Sequence, residues 1–177
     1  ALDITMANVP SLTGSTLIMI DCSGSMRDPL SGRSQRQRWE IASLFGIALA
    51  KRAEKAELVC YSDWSANVDF HTPTLRIMDE IGHVNMNGTM TFQTLTERYS
   101  GHDRVIIITD EQAHDAGHYN LSHIPLIYTF NLAGYQVGHD RTGDKGRYTF
   151  GGLTDAGFQL IPLIEATRDG NWPHLGS

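Results

Sequence analysis

The sequence has 177 residues, 41% of them hydrophobic, which fits one globular domain with a sizeable core rather than a disordered chain. Its formal net charge of −6 argues against a domain given over entirely to nucleic-acid binding, because such domains are usually basic. No apolar run approaches the roughly 20 residues of a membrane-spanning helix, and the first 15 residues lack a secretory signal pattern. Two cysteines, Cys22 and Cys60, are too few for a disulfide framework, and we expect free, buried thiols on neighbouring strands in a reducing cytoplasm.

An acid and two hydroxyl residues follow the first apolar run of the chain. Thr16–Ile20 is typical of a buried parallel strand, and Asp21 comes directly after it, with Ser23 and Ser25 at alternate positions beyond. Open α/β sheets bind their ligands at the carboxyl ends of the strands. Because carboxylate and hydroxyl oxygens are hard ligands, this segment predicts a site for Mg²⁺, Mn²⁺ or Ca²⁺.

The polar loop over residues 26–38 is rich in arginine. It carries four arginines against one aspartate, a local charge of +3. Such a segment is commonly a solvated surface loop, but beside a metal it also suits a basic rim that steers an acidic ligand or a phosphate backbone. Both interpretations stay open at this point. The candidate rim residues are Arg27, Arg33, Arg36 and Arg38.

The rest of the chain alternates between helical and strand patterns. These patterns predict helices over Trp39–Glu57, Thr74–Ile81, Phe92–Tyr99 and Thr154–Arg168, and strands over Leu58–Tyr61, Ala66–Phe70, Arg104–Thr109, Pro125–Asn131 and Arg147–Phe150. The short polar connection after Tyr61 indicates a hairpin, and a further helix is expected near His114 and His118. This order predicts a doubly wound, mostly parallel six-stranded sheet with one antiparallel edge strand and helices on both faces.

Two later residues extend the pattern that begins at the first strand. Asp110 directly follows the most apolar strand, and Thr89 lies in the loop before a helix. Together with the first segment they resemble the metal-ion-dependent adhesion site of von Willebrand factor A (vWA) domains. That resemblance implies one bound divalent cation, Mg²⁺ above all, which accepts an acidic group from a partner. It also favours Thr89 over Thr91, because the family's Thr-x-Thr pattern puts the first threonine at the metal. The implied ligands are Asp21, Ser23, Ser25, Thr89 and Asp110.

A narrower resemblance is to the A-like domain of Ro, or TROVE-module, RNA-binding proteins. It rests on segments 127–135 and 109–111 and on Gly157-Phe158 with the helix that follows, although loop 26–38 is longer than the family pattern. The resemblance implies an N-terminal ring of helical repeats and a small noncoding or misfolded RNA partner for the intact protein in the cytoplasm. The expected arrangement is a lead-in over residues 1–15, the vWA-like domain over 16–170 and a tail over 171–177.

Two other functions stay open on the sequence. Asp21 after a strand could be the nucleophile of a metal-dependent phosphohydrolase, but Ser23 stands where a second acid is expected, and no general base is evident. The domain could also be a structural cap that binds no ligand through the metal. A zinc site on His114 and His118 is disfavoured, because Gly117 interrupts the helical pattern and no HExxH motif is present. We therefore expect a binding domain and not an enzyme.

Overall fold

Six strands form one sheet in the computed structural model, which describes residues 9–84, 87–110, 119–133 and 146–168. The strands are β1 (Leu12–Asp21), β2 (Ala53–Tyr61), β3 (Ser65–Asn67), β4 (Arg104–Thr109), β5 (Ile127–Asn131) and β6 (Arg147–Gly151). Their spatial order is β3-β2-β1-β4-β5-β6, and every neighbouring pair is parallel except β2 with β3. The helices are α1 (Arg38–Arg52), α2 (Thr74–Gly82), α3 (Thr91–Arg98) and α4 (Asp155–Arg168), and a 3-10 turn spans Gly24–Arg27. The predicted α/β fold with one antiparallel edge strand is confirmed.

Helices cover both faces of the sheet. Successive side chains of β1 point to opposite faces, so Ile20 joins the core cluster that contains α1 and α4, while Met19 joins the cluster that contains α3. On the first face Phe45 of α1 stacks on Phe158 of α4, with ring centroids 4.9 Å apart. Because residues 17–20 of β1 are covered on both faces, that part of the strand is a continuous apolar run rather than an alternating one.

The predicted end of the first helix was wrong, because the residues that follow it form a strand. Helix α1 ends at Arg52, whereas the pattern predicted that it continues to Glu57. Residues 53–57 open β2 instead, and Glu57 pairs with Leu17 of β1. The segment consists of Ala, Glu and Lys, which favour helices, but pairing along the whole length of β1 outweighs that local preference.

Two strand ends also differ from the predicted ones. β1 begins at Leu12 rather than Thr16, because Leu12 is buried and pairs with Ala53 across an irregularity in the ladder. β3 spans only Ser65–Asn67, so the predicted continuation to Phe70 leaves the ladder early. Short edge strands of this kind expose few unpaired backbone groups.

The two cysteines lie where the sequence suggested. Cys22 follows β1 and Cys60 lies in β2, and both thiols are free and buried, as predicted. The helix expected near His114 and His118 lies outside the described residues. Within the described part of the chain, none of the helices combines the length and apolarity needed to cross a bilayer.

A buried ion pair ties α4 to the amino-terminal edge of the sheet. Arg104, the first residue of β4, donates from Nε and Nη2 to the two carboxylate oxygens of Glu165 over 2.6 and 2.8 Å. Its Nη1 donates to Thr16 Oγ1 over 2.8 Å, and the Tyr128 hydroxyl donates to Glu165 over 3.2 Å. Each partner is therefore well hydrogen-bonded, which is the condition under which a buried pair is tolerated.

We predict that Glu165→Ala lowers the free energy of unfolding by about 3 kcal/mol, because it leaves the buried Arg104 guanidinium without its countercharge. Glu80→Ala is the control, since it breaks an exposed pair with Arg76 and should change stability by less than about 0.5 kcal/mol. Urea denaturation followed by circular dichroism measures both variants. Equal losses in the two would contradict a structural role for the Arg104–Glu165 pair.

Candidate metal centre

The register of the parallel strands brings the candidate residues to one edge of the sheet. Ile20 of β1 pairs with Ile108 of β4, so Asp21 lies beside Thr109, with Asp110 one residue beyond. The loop that carries Thr89 is held on both sides of it. The Gly24 N–H donates to the Asn87 carbonyl over 2.8 Å, and the Met90 N–H donates to the Ser62 carbonyl over 2.9 Å. Loops from three parts of the chain therefore meet at the carboxyl ends of the central strands.

Asp21 is a buried carboxylate held by hydrogen bonds from Ser23 and Thr109. Its Oδ1 accepts the Ser23 backbone N–H over 2.8 Å, and its Oδ2 accepts the Thr109 hydroxyl over 2.6 Å. Burial raises the pKa of Asp21 from its ordinary value of 3.8 to about 6, the hydrogen bonds from Thr109 and Ser23 oppose that rise, and the nearby Asp110 charge adds to it. A carboxylate offers about four acceptor positions, so Asp21 can still accept a further partner.

The hydroxyl groups lie at the same edge. The 3-10 turn after Asp21 brings Ser23 Oγ to 3.2 Å from Ser25 Oγ. Thr89 is 2% exposed, between the two backbone hydrogen bonds that hold its loop. Thr91, the alternative ligand, is the first residue of α3, and its hydroxyl lies 3.2 Å from the Tyr61 hydroxyl. Thr91 is thus engaged with β2, which favours Thr89 as the candidate ligand.

Asp110 is paired with an arginine from the polar loop. Arg38 Nη1 lies 2.9 Å from Asp110 Oδ2, and the side chains are 18% and 0% exposed respectively. The other carboxylate oxygen, Asp110 Oδ1, is buried without a hydrogen-bond partner among the described residues, and so is Arg38 Nε. A buried acceptor without a partner is costly, so this oxygen fits a cation or a donor that the described residues do not supply.

The other three candidate rim arginines have different surroundings. Arg27 donates to the Gly82 carbonyl at the end of α2 over 3.0 Å, and Arg36 pairs with Glu40 over 3.0 Å. Arg33 is exposed within the loop. Arg38 is thus the arginine that contacts a predicted metal ligand.

The donor set fits a hard divalent cation. The candidate residues at this edge supply two carboxylates and three hydroxyls, and such oxygens suit Mg²⁺, Mn²⁺ or Ca²⁺. Across the described residues, no group of three or more His, Cys, Asp or Glu side chains is arranged to hold a metal. His114 and His118, the weighed zinc pair, lie outside those residues.

Sequence reasoning missed two contacts at this site. Thr109 was assigned only to a strand, yet its hydroxyl holds Asp21. A polar residue at the end of an otherwise apolar strand, directly before Asp110, was the available signal. The Arg38–Asp110 contact joins residues 72 positions apart, and no local pattern indicated it.

Comparison with known proteins identifies the fold. No protein-family model matches the sequence, and a search of curated proteins found no significant match. Among solved structures, the Ro (RSR) protein of Deinococcus radiodurans aligns with a TM-score of 0.68 and 14% identity, over 94% of this chain and 36% of that one. BatB from Bacteroides thetaiotaomicron, a conserved hypothetical protein, aligns with a TM-score of 0.54 and 13% identity over 88% and 99% of the two chains.

An aerotolerance-related membrane protein from Bacteroides fragilis aligns similarly, with a TM-score of 0.53 and 12% identity over 85% of this chain and 97% of that one. At such identities the likeness establishes the fold alone, and that fold is the α/β vWA-like fold. The described chain spans 36% of the length of the Ro protein.

We predict that ionisation of Asp21 destabilises the metal-free protein. Because the pKa of Asp21 is about 6 in the folded protein and lower in the unfolded chain, the folded form binds more protons between pH 4 and pH 6. The contribution of this group to the free energy of unfolding therefore falls as the pH rises through that window. Asp21→Asn removes this contribution, so the stability of the variant relative to wild type should rise by about 2 kcal/mol between pH 4 and pH 7.

Urea titrations at several pH values, with a chelator present, measure this difference. Asp63→Asn is the control, because Asp63 is exposed after the neighbouring strand β2, and this variant should follow the wild-type profile. A pH profile of Asp21→Asn parallel to that of wild type would exclude a raised pKa at this position.

Proposed function

We propose that this chain is the vWA-like domain of a Ro-type ribonucleoprotein and that it binds a divalent cation. Mg²⁺ is the favoured ion. Mn²⁺ and Ca²⁺ are suited to the same oxygens. Through the cation the domain binds an acidic ligand on a protein or RNA partner. The proposed metal ligands are Asp21, Ser23, Ser25, Thr89 and Asp110.

The unpaired oxygen of Asp110 is the observation that carries the proposal. It belongs to a fully buried carboxylate, close enough to Asp21 for the two charges to interact. Two carboxylates of this kind repel each other, and within the described residues the contact from Arg38 leaves one oxygen without a partner. A divalent cation would relieve both conditions at once.

The side chains divide into two roles under this proposal. Ser23, Ser25 and Thr89 present neutral oxygens, whereas Asp21 and Asp110 supply charge and orient the hydroxyls or water molecules around them. A bound cation with a mostly neutral shell supplies an electrophilic position for a carboxylate or phosphate oxygen of the partner. The 3-10 turn and the Thr109 hydroxyl keep Ser23 and Asp21 in place for that ligand.

RNA binding is proposed for the intact protein rather than for this domain alone. Support comes from the alignment with the Ro protein over 94% of this chain, together with the segments that resemble that family. In the proposed arrangement a ring of helical repeats precedes the domain and holds small noncoding or misfolded RNA. The domain contributes its metal site and the adjoining arginines.

The phosphohydrolase alternative has less support. A nucleophilic aspartate needs an oxygen directed at the substrate, but Asp21 is buried, and each of its oxygens accepts a hydrogen bond. The structural-cap alternative differs from the proposal in one respect, namely whether a partner's acidic group reaches the cation. Chelator should therefore weaken partner binding under the proposal and leave it unchanged for a cap.

We predict that the domain binds Mg²⁺ or Mn²⁺ in isothermal titration calorimetry, and that Asp21→Ala and Thr89→Ala each weaken that binding. The expected loss is about 100-fold for Asp21→Ala, because even residues that only support a metal ligand cost 10- to 100-fold when removed. Asp63→Asn serves as the control for a nearby lost charge and should change the affinity by less than about twofold, because Asp63 is exposed. Unchanged metal affinity in Asp21→Ala would contradict the proposal.

A further inference from the structure

Arg38 occupies an electrostatically unfavourable position in the chain. It is the first residue of α1, where the positive end of the helix dipole disfavours a cation. The loop before it is nevertheless well ordered by its own contacts. Pro29 and Gln37 form an antiparallel bridge, and the Arg38 N–H donates to the Asp28 carbonyl over 3.0 Å. The backbone contacts of the loop therefore fix the position of this arginine at the edge of the sheet.

The contact of Arg38 with Asp110 is incomplete. A single nitrogen, Nη1, lies 2.9 Å from Asp110 Oδ2, while Arg38 Nε and Asp110 Oδ1 are both buried without partners among the described residues. The Arg104–Glu165 pair in the same molecule uses both carboxylate oxygens over 2.6 and 2.8 Å. Bidentate pairs of that kind are the stronger ones. Arg38 thus contacts one of the two carboxylate oxygens of Asp110, where a bidentate arginine would contact both.

The charges at this edge do not balance when both carboxylates are ionised. Asp21 and Asp110 carry two negative charges, against the single positive charge that Arg38 brings to them. A second carboxylate stands beside the guanidinium, since Asp28 Oδ2 lies 3.8 Å from Arg38 Nη1 and its side chain is 64% exposed. Arg38 therefore has a nearby, more exposed carboxylate to which it can move.

We propose that Arg38 is a tethered counter-cation that holds Asp110 while the divalent ion is absent and competes with that ion for it. When the ion binds, the guanidinium leaves Asp110 for Asp28 at the surface, where it faces the acidic group of the ligand. Metal binding and the positive rim are thereby coupled through one side chain. This inference rests on the proposed metal site and adds to it a residue that sets the metal affinity.

Calorimetric titration of Mg²⁺ into the wild type, Arg38→Gln and Arg36→Gln tests the competition. Arg38→Gln should bind Mg²⁺ about tenfold more tightly than wild type, an effect within the usual range for coupled binding events. Arg36→Gln is the matched control, because it removes the same charge at a position two residues before Arg38. The Arg36 side chain is 56% exposed and pairs with Glu40. Its affinity should stay within about twofold of wild type, since exposed charges are screened by salt.

The possible results separate the two proposals. Equal Mg²⁺ affinities in the wild type and Arg38→Gln would leave the metal site in place and overturn the competing role of Arg38. Weaker binding in Arg38→Gln would also overturn it, because Arg38 would then assist the metal. A lack of binding in both proteins would overturn the metal site and the role of Arg38 together.

A second measurement needs no substitution at the site. In ¹⁵N NMR spectra of the wild type, the side-chain Nε–H signal of Arg38 should shift and exchange faster with water as Mg²⁺ is added, because this buried group moves toward the surface. The Nε–H of Arg104, which donates to Glu165 at the opposite edge of the sheet, is the internal control and should stay unchanged. An unchanged Arg38 signal at Mg²⁺ concentrations that shift the Asp110 backbone amide would overturn the proposal.

Discussion

Two carboxylates buried side by side, Asp21 and Asp110, are the constraint on which the surrounding structure depends. Burial raises the pKa of Asp21, and the nearby Asp110 charge adds to that rise. Hydrogen-bond donors stabilise both carboxylates. The Ser23 N–H and the Thr109 hydroxyl donate to Asp21, and the Arg38 guanidinium donates to Asp110. These contacts leave one oxygen of Asp110 unsatisfied among the described residues. A buried carboxylate oxygen without a partner is energetically costly.

The position of β1 explains why this edge is suited to a binding site. β1 lies between β2 and β4 and is covered by helices on both faces, so its carboxyl end is held rigidly. The loops that follow β1, β2 and β4 all leave the sheet at the same edge, where they can present side chains without disturbing the core. The strands thus form the core, whereas the candidate binding residues lie at the strand ends and in the loops.

Related folds do not by themselves settle what the edge binds. The vWA-like fold is shared with proteins as different in their descriptions as a Ro protein and an aerotolerance-related membrane protein, all at 14% identity or less. The observations specific to this chain come from its own loops, above all the closed loop over residues 28–38 that ends in Arg38. Function is argued from that local chemistry, since one fold supports many activities.

Local patterns were sufficient for the six strands and the antiparallel edge, because short apolar runs bounded by polar turns are visible within a few residues. They failed over residues 53–57, where Ala, Glu and Lys favour a helix but pairing with β1 imposes a strand. Long-range packing was also required to show that the Thr109 hydroxyl holds Asp21 and that Arg38 reaches Asp110. Those contacts join segments that meet through strand register and loop closure, which no short stretch of sequence encodes.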